Sequence, residues 1–325
     1  MKLSDYASGL QAKIDKELVD LFKDKSPRSL YEPMLYPLES GGKRIRPLLV
    51  LLCCEAVGGT VEQSIQAALG IEMLHTFTLV HDDIMDRDDS RRGRPTVHVR
   101  WDEATAVIAG DGLVTLGYQA LLRSHHASTG DLLRVVNNGL LRLCEGQALD
   151  KEFETRNDVT IDAYLDMISR KTAQLIEVSC EVGAILGNGS ANQCRALKSF
   201  ARELGMAFQI QDDLLDLMSE EKISGKPMGS DLLQKKKTYL IIHFLSHAKP
   251  VLKDEFLDIW SKEALDQTDI LAVRDLFKKA GTLEAARNDV ENRLEKAMNS
   301  LQVLPESRAN EDLRALVKRL QNRNA

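Results

Sequence analysis

Between Pro95 and Pro227 the 325-residue chain contains no proline. Proline lacks an N–H and clashes with the preceding turn, so a long stretch without it is free to stay helical. Leu, Ala, Ile, Glu, Arg and Gln are frequent there, and apolar residues recur at three- and four-residue intervals, as in Tyr164, Leu165, Ile168, Leu175 and Ile176. No run shows the apolar–polar alternation of a half-buried strand. Breaks at Ser40-Gly41-Gly42, Gly58-Gly59, Arg92-Gly93-Arg94-Pro95, Ser128-Thr129-Gly130, Gly187-Asn188-Gly189 and Gly225-Lys226-Pro227 cut the chain into roughly a dozen helices. With no Pro/Ser-rich linker between two halves, the expectation is one all-α domain spanning residues 1–325. Residues 65–79 are apolar over most of a helical circumference, the mark of a central helix surrounded by others.

Composition narrows the function. The chain is 43% hydrophobic and 28% charged, which suits a globular protein, and its net charge of −6 argues against a general nucleic-acid binder. Five cysteines without metal-site spacing read as buried or free thiols of a reducing compartment. The first residues alternate charge and apolar groups without the apolar stretch of a signal peptide. Residues 48–57, the greasiest run, contain Glu55 and are too short to span a bilayer. The expectation is a cytoplasmic protein with no transmembrane segment.

The strongest chemical signal is Asp82-Asp83-Ile84-Met85-Asp86, repeated downstream as Asp212-Asp213-Leu214-Leu215-Asp216. On a helix the outer aspartates of each motif lie four residues apart on one face, where like charges repel. Both motifs follow apolar sequence, Phe77-Thr78-Leu79-Val80 and Ala207-Phe208-Gln209-Ile210, so neither reads as a solvated acidic face. Magnesium explains the pattern, because it binds through a few carboxylates and completes its shell with water and substrate phosphate.

Cations answer these acids. Gly41-Gly42-Lys43-Arg44-Ile45-Arg46-Pro47 sets three cations after a glycine break, with Pro47 in the first turn of a helix, an anion-binding arrangement. Arg91-Arg92-Gly93-Arg94-Pro95 follows the first aspartates; Lys171-Thr172, Lys226 and the run Lys235-Lys236-Lys237-Thr238 complete the set. His75 lies seven residues before Asp82, and Gln209 seven before Asp216, so each shares a face with its aspartate.

Together these residues resemble the trans-isoprenyl (polyprenyl) diphosphate synthase family. The matches are Gly42-Lys43-Arg44-Ile45-Arg46-Pro47, both aspartate motifs, Arg91-Arg92-Gly93, Gly110-Asp111, Glu145-Gly146-Gln147, Lys171-Thr172, Phe208-Gln209-Ile210-Gln211-Asp212-Asp213 and Gly225-Lys226-Pro227. Residues 75–98 look most like archaeal geranylgeranyl diphosphate synthases. The resemblance implies a helical bundle of the isoprenoid synthase type around a deep central cavity, a homodimer, and condensation of isopentenyl diphosphate with an allylic diphosphate. It implies that Asp82, Asp86 and Asp212 hold Mg²⁺, helped by Asp83, Asp213 and Asp216, with about three ions per site. Lys43, Arg46, His75 and Arg92 would bind isopentenyl diphosphate; Arg91, Lys171, Thr172, Gln209, Lys226 and Lys236 would bind the allylic diphosphate. Asp82, Asp83, Asp86, Arg91, Lys171 and Asp212 would carry catalysis. Lys235 stands where the family commonly has glycine before its lysine, which leaves Lys235 and Lys236 both open for that contact. Phe77, with Leu74 and Tyr118, would set product length, giving geranylgeranyl diphosphate; farnesyl or longer products are the alternatives. A terpene cyclase has no use for the Lys43, Arg46 and Arg92 pocket, and a non-catalytic regulatory subunit would not keep both aspartate motifs.

Overall fold

A computed structural model describes residues 4–124, 128–218 and 228–322. It is all-α, as expected, and its residues group into two compact units: Met1–Gly139, Leu175–Lys198 and Leu301–Leu316 in the first, Leu140–Gln174, Ser199–Ser300 and Val317–Ala325 in the second.

The first unit opens with α1 (Asp5–Asp20), α2 (Arg28–Glu39) and α3 (Ile45–Ala56). In α3, every residue from Leu48 to Cys54 is fully buried, which the unbroken apolar run dictates. Next comes α4 (Val61–Asp86), whose first N–H groups are met when Thr60 N–H donates to Gln63 Oε1 at 2.7 Å. It is the central helix anticipated for residues 65–79: Ile65, Ala68, Leu69, Ile71, Met73 and Leu74 are all buried. A short α5 (Val97–Arg100) leads to α6 (Glu103–Leu122), capped by Asp102, which accepts the Thr105 N–H at 2.7 Å.

Helices α4 and α6 approach closely because glycines face each other. A Cβ at Gly70 would lie 2.8 Å from the Gly117 carbonyl oxygen, and one at Gly117 would lie 2.8 Å from Leu74 Cγ. Residues 48–57 are not the chain's longest apolar segment. By length and composition alone α6 could cross a membrane; in this structure one side of it packs on α4.

One feature departs from the strandless expectation. Ser90–Arg91 pairs antiparallel with Arg94–Pro95, and the turn residues Arg92 and Gly93 have φ of 54° and 73°. Two positive φ angles in a two-residue loop make the tight turn whose twist suits a hairpin. Strands of two residues are too short for alternation to show in sequence.

From the first unit the chain runs into the second within α7 (Thr129–Thr155). There follow α8 (Ile161–Ile168), a π-helical turn (Ser169–Ala173), α9 (Gln174–Leu186) and α10 (Ala191–Met218), with α9 and the start of α10 belonging to the first unit. The second unit continues through α11 (Ser230–Leu233), α12 (Tyr239–His247), α13 (Pro250–Trp260), α14 (Gln267–Lys279) and α15 (Thr282–Ser300); α16 (Arg308–Gln321) ends the described chain. Its core includes fully buried Phe244, Phe256 and Phe277, with ring centroids 5.0–5.9 Å apart. All five cysteines are free thiols, and Cys53, Cys54 and Cys180 are buried.

Candidate active site

The turn before α3 gathers the cations of the first unit. Arg46, in the first helical turn, donates from Nη1 to His75 Nε2 at 3.0 Å. Arginine has no acceptor, so His75 Nε2 must carry the lone pair and the imidazole is neutral. Burial, then the neighbouring Arg46 and Arg92, hold the His75 pKa well below its ordinary 6.5. Burial likewise draws Arg46 down to about 10, and its Nε is buried without a partner. Arg92 donates to the Gly41 carbonyl and its guanidinium covers Gly42, where a Cβ would lie 2.7 Å from Nη1. Gly42 also has a φ of 147°, a backbone that residues with a Cβ rarely adopt, and it is this conformation that calls for glycine. Lys43 is exposed at the tip of the turn. Of the four residues expected to bind one diphosphate, the fold brings Arg46, His75 and Arg92 together, and Lys43 lies on the same turn.

Asp82 and Asp86 occupy one face of the last turns of α4 and are half-buried. Asp83 turns elsewhere. It is buried, and its Oδ1 accepts Arg91 Nε at 2.6 Å. Burial pushes the Asp83 pKa up, against the pull of Arg91. The hairpin thus uses Arg91 to grip α4, while Arg92, the next residue, faces the Gly41-Gly42 turn.

In the second unit the π-helical turn carries Lys171 and Thr172, a distortion of the kind that often marks functional segments. Lys171 Nζ donates to Asp150 Oδ2 at 2.5 Å. Thr172 donates to Gln209 Oε1 at 2.8 Å, and Gln209 Nε2 passes the contact on to Asp213 Oδ1 at 3.1 Å. Asp213 is buried and also accepts the Tyr164 hydroxyl at 2.5 Å and the Tyr239 N–H at 3.0 Å. Burial, reinforced by nearby Asp231, raises its pKa to about 7. Asp216 caps α11, accepting Ser230 Oγ at 2.6 Å and the Asp231 N–H at 3.0 Å. Asp212 is half-buried on α10.

The three lysines of the run differ in backbone and partners. Lys235 has a φ of 53°, which accounts for glycine being usual there, and its Nζ donates to the Trp260 and Lys262 carbonyls. Lys237 donates to the carbonyls of Phe153, Glu154 and Arg156. Lys236 makes no side-chain hydrogen bond or ion pair among the described residues. Lys226 lies outside them.

Of the length-setting candidates, Leu74 is fully buried against Gly117. Phe77 is half-buried, its ring edge-on to His81 with centroids 5.6 Å apart. Tyr118 donates to Asn137 Oδ1 at 3.2 Å.

Asp82, Asp86 and Asp212 carry the hard carboxylate oxygens that Mg²⁺ takes, and that ion usually fills the rest of its shell with phosphate and water. Among the described residues no group of three or more His, Cys, Asp or Glu side chains is placed to hold a metal ion. Sequence reasoning missed Asp150, Tyr164 and Glu72, and it counted Arg44 among the anion-binding cations, whereas that guanidinium is buried against Asp15, Glu72 and the Leu38 carbonyl. Asp150 sits three residues beyond Gln147 and Glu72 three before His75, but only contact with distant residues makes them informative.

The polyprenyl synthetase family model matches residues 27–277. A short chain isoprenyl diphosphate synthase of Methanothermobacter thermautotrophicus is 38% identical over 96% of both chains. A geranylgeranyl diphosphate synthase of Methanosarcina mazei is 37% identical over 94% of this chain and 93% of its own. The crystal structure of geranylgeranyl pyrophosphate synthetase from Pyrococcus horikoshii superimposes with a TM-score of 0.92 at 41% identity, over 98% of each chain. This chain belongs to the polyprenyl synthetase family.

Proposed function

We propose that the protein is a short-chain trans-prenyl diphosphate synthase, acting as one catalytic domain that joins isopentenyl diphosphate head to tail to dimethylallyl, geranyl or farnesyl diphosphate. Its product is geranylgeranyl diphosphate. The observation that carries the reading is the guanidinium cluster at the start of α3, where Arg46 keeps a buried, unpartnered Nε beside neutral His75 and Arg92. Such an excess of donors suits a diphosphate. Similarity to proteins named geranylgeranyl diphosphate synthase supports the product.

In this reading Lys43, Arg46, His75 and Arg92 hold isopentenyl diphosphate. Arg91, Lys171, Thr172, Gln209, Lys226 and Lys236 serve the allylic diphosphate, Arg91 by way of Asp83. Asp82, Asp86 and Asp212 hold Mg²⁺, about three ions per site, while Asp83, Asp213 and Asp216 keep their motifs in place through the partners they already engage. Bound magnesium would neutralise charge on the departing diphosphate. The cationic side chains stabilise the same charge from the protein side as the allylic C–O bond breaks. The isopentenyl double bond then forms the new C–C bond and a proton is lost. The motifs name no obvious general base; in this reading the released pyrophosphate takes that proton. Apolar walls exclude water that would quench the cation. The enzyme works in the cytoplasm as a homodimer. Support for the dimer comes from α6, which exposes Val107, Ile108 and Leu122 at 42%, 57% and 52%.

Incubating the purified protein with labelled isopentenyl diphosphate, each allylic primer and Mg²⁺ tests the reading. A C20 product is expected, and absence of any prenyl product overturns it. Asp82→Ala and Asp212→Ala should each lower kcat by about a hundredfold or more while the protein stays folded. Full turnover in EDTA would remove the metal from the scheme.

A further inference from the structure

One carboxylate lies buried beneath the diphosphate-binding cations. Glu72, on α4 one turn before His75, is 3% exposed, and its Oε1 accepts Arg44 Nη1 at 2.6 Å. Arg44 stands between Lys43 and Arg46 in sequence but is itself buried. Its Nε donates to Asp15 of α1 at 2.7 Å and its Nη2 to the Leu38 carbonyl of α2. It enters α3 from a left-handed backbone, φ 45°, which throws its side chain inward while its neighbours stay on the outer side of the turn. One guanidinium thereby ties the turn to α1, α2 and α4 together. Arg46 and Arg92 both feel the Glu72 charge, which favours their protonated forms against burial.

We infer that Glu72 is the positioning residue of this pocket: through Arg44 it sets the turn at residues 41–46 so that Arg46 meets His75 and Arg92 packs over Gly42. The inference rests on the proposed function, which makes this pocket the isopentenyl diphosphate site. Two effects of neutralising Glu72 oppose each other. Losing a negative charge near the ligand would tighten binding of a diphosphate. Leaving Arg44 buried without its full counter-charge would release the turn and loosen binding. Arg44 and Glu72 are both nearly inaccessible, so water cannot replace the lost partner, and the second effect dominates.

The test is the sign of the change in Glu72→Gln, which keeps shape and an acceptor oxygen but not the charge. Calorimetric titration with isopentenyl diphosphate should show a Kd raised about tenfold or more, mirrored in KM. The allylic KM, and kcat at saturating isopentenyl diphosphate, should stay within about twofold, a split that general loss of stability would not produce. Glu72→Asp should recover part of the affinity. Should Glu72→Gln fail to fold, Arg44→Met/Glu72→Met, which replaces the buried pair by apolar groups of similar length, carries the same test: it should fold and bind weakly. Unchanged or tighter binding in a folded variant overturns the inference. A wild-type protein that neither binds isopentenyl diphosphate nor makes prenyl product instead overturns the function on which it rests.

Discussion

Arg44 and Arg46 are two positions apart and do opposite work: Arg44 is spent on α1, α2 and Glu72, whereas Arg46 retains a donor for a ligand. Arg46→Ala should therefore raise the KM for isopentenyl diphosphate by about tenfold to a hundredfold, the loss of a charge-assisted contact, with little change in the allylic KM. Lys236→Ala should do the reverse, and equal effects of both variants on both substrates would refute the division of roles. His75 adds a pH dependence. Its pKa is held well below 6.5 in the folded protein. Below that pH the unfolded chain binds a proton that the folded one refuses, so stability present above about pH 6.5 is lost as the pH falls. His75→Gln should reduce that loss, by up to about 1.4 kcal/mol per pH unit, in urea unfolding compared at about pH 7.5 and about pH 5. Identical pH slopes would show that His75 is not the titrating group. The types and spacings of these residues were legible in the sequence. That Arg91 would grip Asp83 was not, because the hairpin that turns it back on α4 is too short to read.

At the scale of elements, local punctuation was informative: the breaks at residues 40–42, 58–59, 128–130 and 187–189 all fall at or beside helix ends. Two departures have physical causes. Helix α2 continues through Pro33 and Pro37, although proline removes a hydrogen-bond donor, and buried Met34, Tyr36 and Leu38 show packing outweighing that loss. The π-helical turn at Ser169–Ala173 has no sequence mark, being defined by how α7 meets it: a Cβ at Gly146 would lie 2.8 Å from the Arg170 carbonyl carbon. The pairing of α4 with α6 frames the question of product length. Phe77 is only half-buried and is offset by about 140° from Asp82 around the helix, whereas Leu74 is sealed against Gly117. If Phe77 is the floor, Phe77→Ala should shift products beyond C20, since removing the ring frees apolar volume for further prenyl units. An unchanged product ladder from an active Phe77→Ala enzyme would move the floor to Leu74 or Tyr118, the next residues to truncate.

For the whole molecule, the proposed dimer makes a direct prediction. Ile108, Thr115 and Leu122 recur every seven residues on α6, so they share one side of the helix. Ile108→Asp would set a charge in an apolar interface, and sedimentation should show monomer at concentrations where the wild type is dimeric. A wild type that sediments as a monomer, or an unaltered dimer in the variant, would exclude α6 as the contact. The family match over residues 27–277 runs through chain assigned to both compact units, which agrees with motifs being spread along the sequence rather than confined to one part. The sequence by itself determined the helical class, the breaks and the acid and cation inventory, because helix periodicity, turn chemistry and four-residue spacing are all properties of neighbouring residues. Only the tertiary structure decided which charges are committed inward. Arg44 with Glu72, Asp213 with Tyr164 and Lys237 with the Phe153 carbonyl are joined across 28, 49 and 84 positions. Burial makes such partners necessary, and burial is fixed by long-range packing that no local pattern encodes.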